Sequence, residues 1–245
     1  MSERSSCSAL FGNGQISDLD FADDTVIFAE TLDILLGALG VLNEESELLE
    51  FWVSWVKTKI QAFNDILDAA ILSVTVCDED VEVVERFTYF GSDIHVSAGC
   101  EPEINRCLRR ALGVMDSLFH GVWCCRYLCG RTKFRLFRSL LPPILLYGCE
   151  TWTLTSYLRQ SLNSFGTRSL RRILGCHWWD FVSNERLLRE TQMRFVTCIV
   201  SERQLRLQRH VARFPDADPG HQILSVREPR EWMSSVGDRN KPIRF

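Results

Sequence analysis

Two short, apolar, β-branched runs, Ile16 to Phe21 and Thr25 to Ala29, flank the adjacent carboxylates Asp23-Asp24, and no other feature constrains the first part of the chain as much. Alternation and β-branching suit a pleated, half-buried surface, and Asp-rich dipeptides suit turns. The segment therefore predicts an antiparallel hairpin with an acidic tip. Such a tip can present carboxylate oxygens from a rigid scaffold to hard divalent cations. Two of these, about 3.5–4 Å apart, stabilise the attacking and leaving oxygens of a phosphoryl transfer. An ordinary acidic turn has the same sequence, so the hairpin alone leaves both readings open.

Downstream, Thr31 reads as an N-cap, and Leu32, Leu35, Leu36, Leu39 and Leu42 recur at helical spacing in a helix over 32–49 that would cover the sheet. Residues 58–63, 70–76 and 81–84 read as further short strands, with Asp78-Glu79-Asp80 as a turn. Beyond Gly99 the periodicity becomes helical. Helices are predicted over 103–119, over 131–141 with a stop or kink at Pro142-Pro143, over 158–174 and over 191–213. The predicted class is α+β: a mixed module over 1–98, an all-helical, arginine-rich module over 99–214 and a loosely ordered tail over 215–245.

A composition of 46% hydrophobic and 24% charged residues is that of a globular chain and not of a disordered one. The net charge of −4 conceals a segregation. Residues 1–100 carry 4 Lys and Arg against 19 Asp and Glu, whereas residues 101–213 carry 19 against 8. That asymmetry is expected of an acidic, metal-holding module joined to one that binds a polyanion, although solvated basic helix faces would give the same count. Arginine dominates the basic part, and its planar fork suits phosphate. No basic segment followed by an apolar run opens the chain. The longest apolar stretches, such as 140–147, are too short to span a bilayer, so an intracellular location and no membrane partner are expected. The ten cysteines then read as reduced thiols. Cys124, Cys125, Cys129, Cys176 and His177 lack the spacing of a zinc site, and Gly12-Asn13-Gly14 reads as an ordinary turn.

Four segments carry a further signal through their order: Phe21-Ala22-Asp23-Asp24, Val53-Ser54-Trp55-Val56-Lys57-Thr58-Lys59, Phe87-Thr88-Tyr89-Phe90-Gly91-Ser92 and Leu146-Tyr147-Gly148-Cys149-Glu150-Thr151-Trp152. Together they resemble the C-terminal part of the reverse transcriptase of non-LTR, LINE-type retrotransposons. The resemblance implies a partial polymerase palm, made of the antiparallel hairpin and its covering helix, followed by a thumb-like helical region. Asp23 and Asp24 would be catalytic and would hold Mg²⁺. Lys57 would approach the nucleotide phosphates, and Tyr89 and Gly91 would belong to the turn that grips the primer. Arg106, Arg109, Arg110, Arg131, Lys133 and Arg135 would face the RNA template and DNA primer.

The likeness fades after about Trp232, and Glu50-Phe51-Trp52 stand where the family has Gly-Leu-Lys. The family completes its metal site with an aspartate from an upstream palm strand and binds nucleotide with fingers further upstream, yet 22 residues precede Asp23. Asp18 and Asp20 lie at odd spacings from Asp23 on one strand and are expected to face away. The fragment is therefore expected to be catalytically incomplete alone. The alternative is a non-catalytic nucleic-acid-binding module derived from a retroelement.

Overall fold

Backbone φ turns positive at the tips of three hairpins in the first part of the chain, and these fix where the strands reverse. In the computed structural model, which describes residues 9–11, 14–16, 18–22, 24–63, 71–97, 99–216 and 218–225, they are Ala22 (55°), Cys77 and Asp78 (48° and 64°), and Phe90 and Gly91 (46° and 77°). Positive φ at the centre of a tight loop matches the twist of the flanking strands, so each site closes a hairpin. The first joins β3 (Asp18–Phe21) to β4 (Asp24–Ile27), with Phe21 opposite Asp24 and Asp20 opposite Thr25. Before it, β1 (Ala9–Phe11) pairs with β2 (Gly14–Ile16), a hairpin that the sequence pattern did not predict.

Thr31 caps α1 (Leu32–Leu48), its hydroxyl accepting from the Ile34 N–H at 3.4 Å. The helix lies against a three-stranded sheet of order β5-β7-β6, formed by Lys59–Ile60, Glu79–Val83 and Ser73–Val76. Leu39, Ile60, Val76 and Val81 are buried between them, with Ile27, Leu35, Leu36, Leu42 and Trp55 packed around. The turn expected at Asp78-Glu79-Asp80 sits one residue earlier. Glu79 and Asp80 pair with Val76 and Thr75, because Cys77 and Asp78 take the left-handed conformation that closes a two-residue loop. The third hairpin joins β8 (Arg86–Tyr89) to β9 (Ser92–His95).

The helical part begins with α2 (Glu101–Ser117), which passes into a single π-helical turn over Phe119–Trp123. The next helix, α3 (Gly130–Leu145), runs through Pro142 and Pro143 and is not stopped by them. Two N–H groups are lost, but the prolines lie in the last turns, Pro142 still accepts from Leu146 N–H at 2.9 Å, and Leu141 and Leu145 are buried on either side. Next comes α4 (Ser156–Leu174), capped by Thr155 and closed by Gly175 at φ 69°. The helix expected over 191–213 is shorter at both ends, forming α6 (Val196–Val211), and it is preceded by a helix the sequence pattern did not predict, α5 (Asn184–Thr191), which ends where Gln192 turns left-handed at φ 53°. Within the stretch expected as a loose tail, α7 (Pro219–Ser225) lies beside β2, and residues 226–245 are outside the described ones.

The chain is mixed α+β and divides into two compact units. The first takes the described residues up to Phe87, residues 95–97 and those from Arg209; the second takes Thr88–Ile94 and Gly99–Gln208. Each has its own core, and that of the second is much the larger, centred on Ile104, Met115, Trp123, Leu141, Leu162 and Leu187. Among the described residues no helix is long and apolar enough to cross a membrane.

Candidate functional site

The acidic hairpin places Asp24 as the exposed first residue of β4, and Asp23 lies outside the described residues. Directly opposed residues of an antiparallel pair share a face, so the register puts Asp24 with Leu19 and Val26, and puts Asp18 and Asp20 with Thr25 and Ile27 on the other face. The described carboxylates of the hairpin therefore diverge. Among the described residues no group of three or more His, Cys, Asp or Glu converges as a metal site. Mg²⁺ demands near-octahedral oxygen coordination, and the described donors do not make such a site by themselves.

Lys57 is exposed in the turn after α1, its N–H bonded to Ser54 O at 3.0 Å. That turn follows a helix end in which Glu50 N–H reaches Glu47 O at 3.0 Å and Phe51 N–H reaches Ser46 O at 2.9 Å, with Glu50 at φ 60°. This is the Schellman geometry, with a glutamate in the left-handed position that glycine fills without strain. Where the resembling family has glycine, the same turn forms here with a less suitable residue.

The second unit brings several of the singled-out residues together. At the β8–β9 turn, the Tyr147 hydroxyl donates to Phe90 O at 2.6 Å, and its ring lies over Gly91, where a Cβ would come within 3.2 Å of Cε1. Arg106 donates to Gly91 O from α2. The same guanidinium holds Glu103 in a bidentate pair (Nε to Oε2 2.8 Å, Nη2 to Oε1 2.7 Å) and lies 3.3 Å from Asp93 Oδ2. Glu103 Oε2 also accepts the Asp93 N–H at 3.0 Å. The side chains are enclosed, at 4% exposure for Asp93, 5% for Glu103 and 14% for Arg106. Burial opposes the charge on Arg106, but the hydrogen bonds to Glu103 and the Glu103 and Asp93 charges outweigh it and hold its pKa above the usual arginine value. Burial, with Glu103 beside it, pushes the Cys107 thiol up to about 12. Tyr89 is half-buried, its ring 4.1 Å from that of Phe90.

The segment 146–152 is fastened on its other side by α6. Arg203 donates to Leu146 O at 3.0 Å, and Gln204 donates to Cys149 O and Trp152 O at 3.2 and 2.7 Å. Sequence reasoning did not single out Asp93, Glu103, Tyr147, Arg203 or Gln204 as site residues. Of these, only the i,i+3 spacing of Glu103 and Arg106 offered a local signal.

The remaining basic residues differ from Arg106. Lys133 is half-buried and donates to Trp123 O at 2.6 Å, fixing the end of the π turn. Arg109 and Arg110 on α2 and Arg131 and Arg135 on α3 are exposed and form no ion pair among the described residues. Since α2 and α3 pack against each other, these four guanidinium groups lie on neighbouring helices, available to an anionic partner.

No protein-family model and no solved structure matches the chain. It is 27% identical, over 245 aligned residues, to F52C9.6 of Caenorhabditis elegans, a protein whose name describes it as transposon-derived; the match covers 92% of this chain and 82% of that one. The likeness supports an origin in a transposable element.

Proposed function

We propose that the chain is the palm-hairpin and thumb portion of a retrotransposon reverse transcriptase of the non-LTR, LINE type, whose parent activity is RNA-templated DNA synthesis. The observation that carries this reading is the meeting of two of its family-like segments. Phe87–Ser92 and Leu146–Trp152 are joined by the hydrogen bond from Tyr147 to Phe90, across 57 positions of sequence. Unrelated chance resemblances have no reason to fold onto one another. The transposon-derived relative supports the same origin.

In the parent enzyme Asp23 and Asp24 would bind Mg²⁺ together with carboxylates from elsewhere in the palm, and the cation would stabilise the charge of nucleotidyl transfer. Lys57 would meet the nucleotide phosphates. The Phe90-Gly91 turn, with Tyr89 behind it, would sit at the primer end. Arg109, Arg110, Arg131 and Arg135 would hold the RNA/DNA duplex by its phosphates, with Arg106 and Lys133 fixing the elements that carry them. Taken alone, these 245 residues would bind duplex without extending it.

Primer extension on an RNA template with Mg²⁺, comparing the chain with Asp23→Asn, tests the second half of that statement. Aspartate-dependent incorporation would overturn the claim of inactivity alone. Anisotropy with an RNA/DNA duplex tests the first. Replacing the four exposed arginines by glutamine should weaken binding and lower the slope of log affinity against log salt by up to about 0.9 per lost phosphate contact. An unchanged slope would remove the nucleic-acid role. The exposure of those four arginines also suits a second reading, a non-catalytic nucleic-acid-binding module of retroelement origin. Duplex binding that Asp23→Asn leaves untouched, by a chain that stays inert when a reverse-transcriptase fragment carrying palm and fingers is added in trans, would favour it.

A further inference from the structure

The loops at one end of the second unit present aromatic rings to solvent, and none of the contacts described so far uses them. Arg172, near the end of α4, pairs with Asp116 near the end of α2 and lies 4.2 Å over the Phe119 ring in the π turn. The C-terminal ends of α2 and α4 therefore meet, and the loops that leave them start from the same end of the unit.

One of these loops carries Arg126 and Tyr127, the latter 99% exposed. The other is the short turn 177–181. Its ends are tied by the His177 N–H to Asp180 Oδ2 at 2.7 Å and by the Asp180 N–H to His177 O at 3.2 Å. In it the His177 and Trp179 rings stack at 4.4 Å and 11°. Trp179 remains 52% exposed, and Phe181 is 88% exposed at φ 48°. A bulky residue in the left-handed region is a genuine outlier, and Phe181 gains almost no burial in return. The turn therefore holds a ring in solvent on a rigid support.

We propose that this end of the second unit binds unpaired nucleotides of single-stranded RNA or DNA, with Phe181, Trp179 and Tyr127 stacking on bases and Arg126 meeting the backbone. The same unit leaves Arg109, Arg110, Arg126, Arg131 and Arg135 exposed and without an ion pair among the described residues, which favours a polyanion over a neutral surface. Exposed rings beside arginine, on a rigid turn, are how sequence-tolerant single-strand sites work. The inference goes beyond the reverse-transcriptase reading and does not require it, because neither loop carries a residue of the four family-like segments.

The test is fluorescence anisotropy of the full chain with labelled oligo(dT) and oligo(rU) of about 12 nucleotides, a length within the range of known single-strand sites, and with a blunt duplex of equal length. Phe181→Ala and Tyr127→Ala should each weaken single-strand binding by about fivefold or more while leaving duplex binding and the circular dichroism spectrum unchanged. Phe181→Trp and Tyr127→Phe should retain it, and the tighter of the two single strands identifies the natural sugar. Wild-type affinity in the double alanine variant would overturn the proposal. So would an equal loss for duplex and single strand, or self-association that the double variant abolishes in a chain that binds no oligonucleotide. Loss of duplex binding in the four-arginine variant, with single-strand binding intact, would separate this site from the proposed duplex surface.

Discussion

Replacing Arg106 by methionine removes one cation from a site that holds two carboxylates out of water. Methionine nearly matches the arginine stem in length and remains apolar, so packing changes little while every polar contact goes. What is lost is the bidentate pair with Glu103, the 3.3 Å contact to Asp93 and the bond to Gly91 O. The carboxylates left behind are 5% and 4% exposed. Uncompensated buried charge of this kind costs about 3–5 kcal/mol, several times the value of a surface pair. Urea unfolding followed by tryptophan fluorescence measures it, since Trp123 and Trp152 are both buried in the same unit. Glu103→Gln in the Arg106→Met background should recover a large part of the loss at pH 7. A cost below about 1 kcal/mol, or no recovery in the double variant, would refute the argument that this network holds the β8–β9 turn to α2.

Glu50→Gly should stabilise the first unit by about 1 kcal/mol in thermal melts, because glycine relieves the left-handed strain at φ 60° and Glu50 is exposed; Glu50→Ala should give no gain. Gly148→Ala should cost more than about 2 kcal/mol in urea unfolding, since it combines φ 68° with a Cβ 2.8 Å from Ser92 Oγ, and adding Ser92→Gly should return only the steric part. Alkali should unfold the second unit steeply. Burial raises Cys107 to about 12 and Cys149 to about 11 from an ordinary value near 9, so the folded state retains protons that the unfolded chain gives up. The contribution is complete below about pH 9 and is lost as pH rises through 11–12, at about 1.4 kcal/mol per pH unit per thiol, and Cys107→Ala should flatten the slope by one thiol.

Local features of the fold were legible in the sequence. The Thr31 cap and the apolar face of Leu158, Leu162, Phe165 and Ile173 follow from short-range rules and form as expected; the acidic hairpin also forms, but with Asp24 as the first residue of β4 and not in the turn. The misreadings share a cause, which is that a local rule met a tertiary override. Pro142-Pro143 should end a helix, but Leu141 and Leu145 are held in the core and carry α3 past them. The helix expected from Thr191 starts only at Val196, although no glycine or proline marks the delay, because Thr191 ends α5 and Gln192 turns left-handed there, with Arg138 donating to Thr191 O and Gln192 O at 3.1 and 2.7 Å. Those two bonds satisfy the carbonyls that helix continuation would otherwise have satisfied.

The clasp around Gly91 was illegible for a different reason. Its bonds run from side chains to backbone carbonyls across 15 and 57 positions, and such contacts leave no periodicity to read. An arginine on the polar side of an amphipathic helix looks the same in sequence whether it faces a phosphate or a carbonyl of its own fold. Arg106 and Arg109 differ only in what the β8–β9 turn places beside them. A positive count therefore overstates the surface available to a polyanion, and the exposed residues Arg109, Arg110, Arg131 and Arg135 are a better measure of it than the surplus of charge. The same logic applies in reverse to the acidic half. Asp18, Asp20 and Asp24 sit within seven positions of one another, but the hairpin register sends them to opposite faces, so their proximity in sequence does not become the convergence that a divalent cation needs.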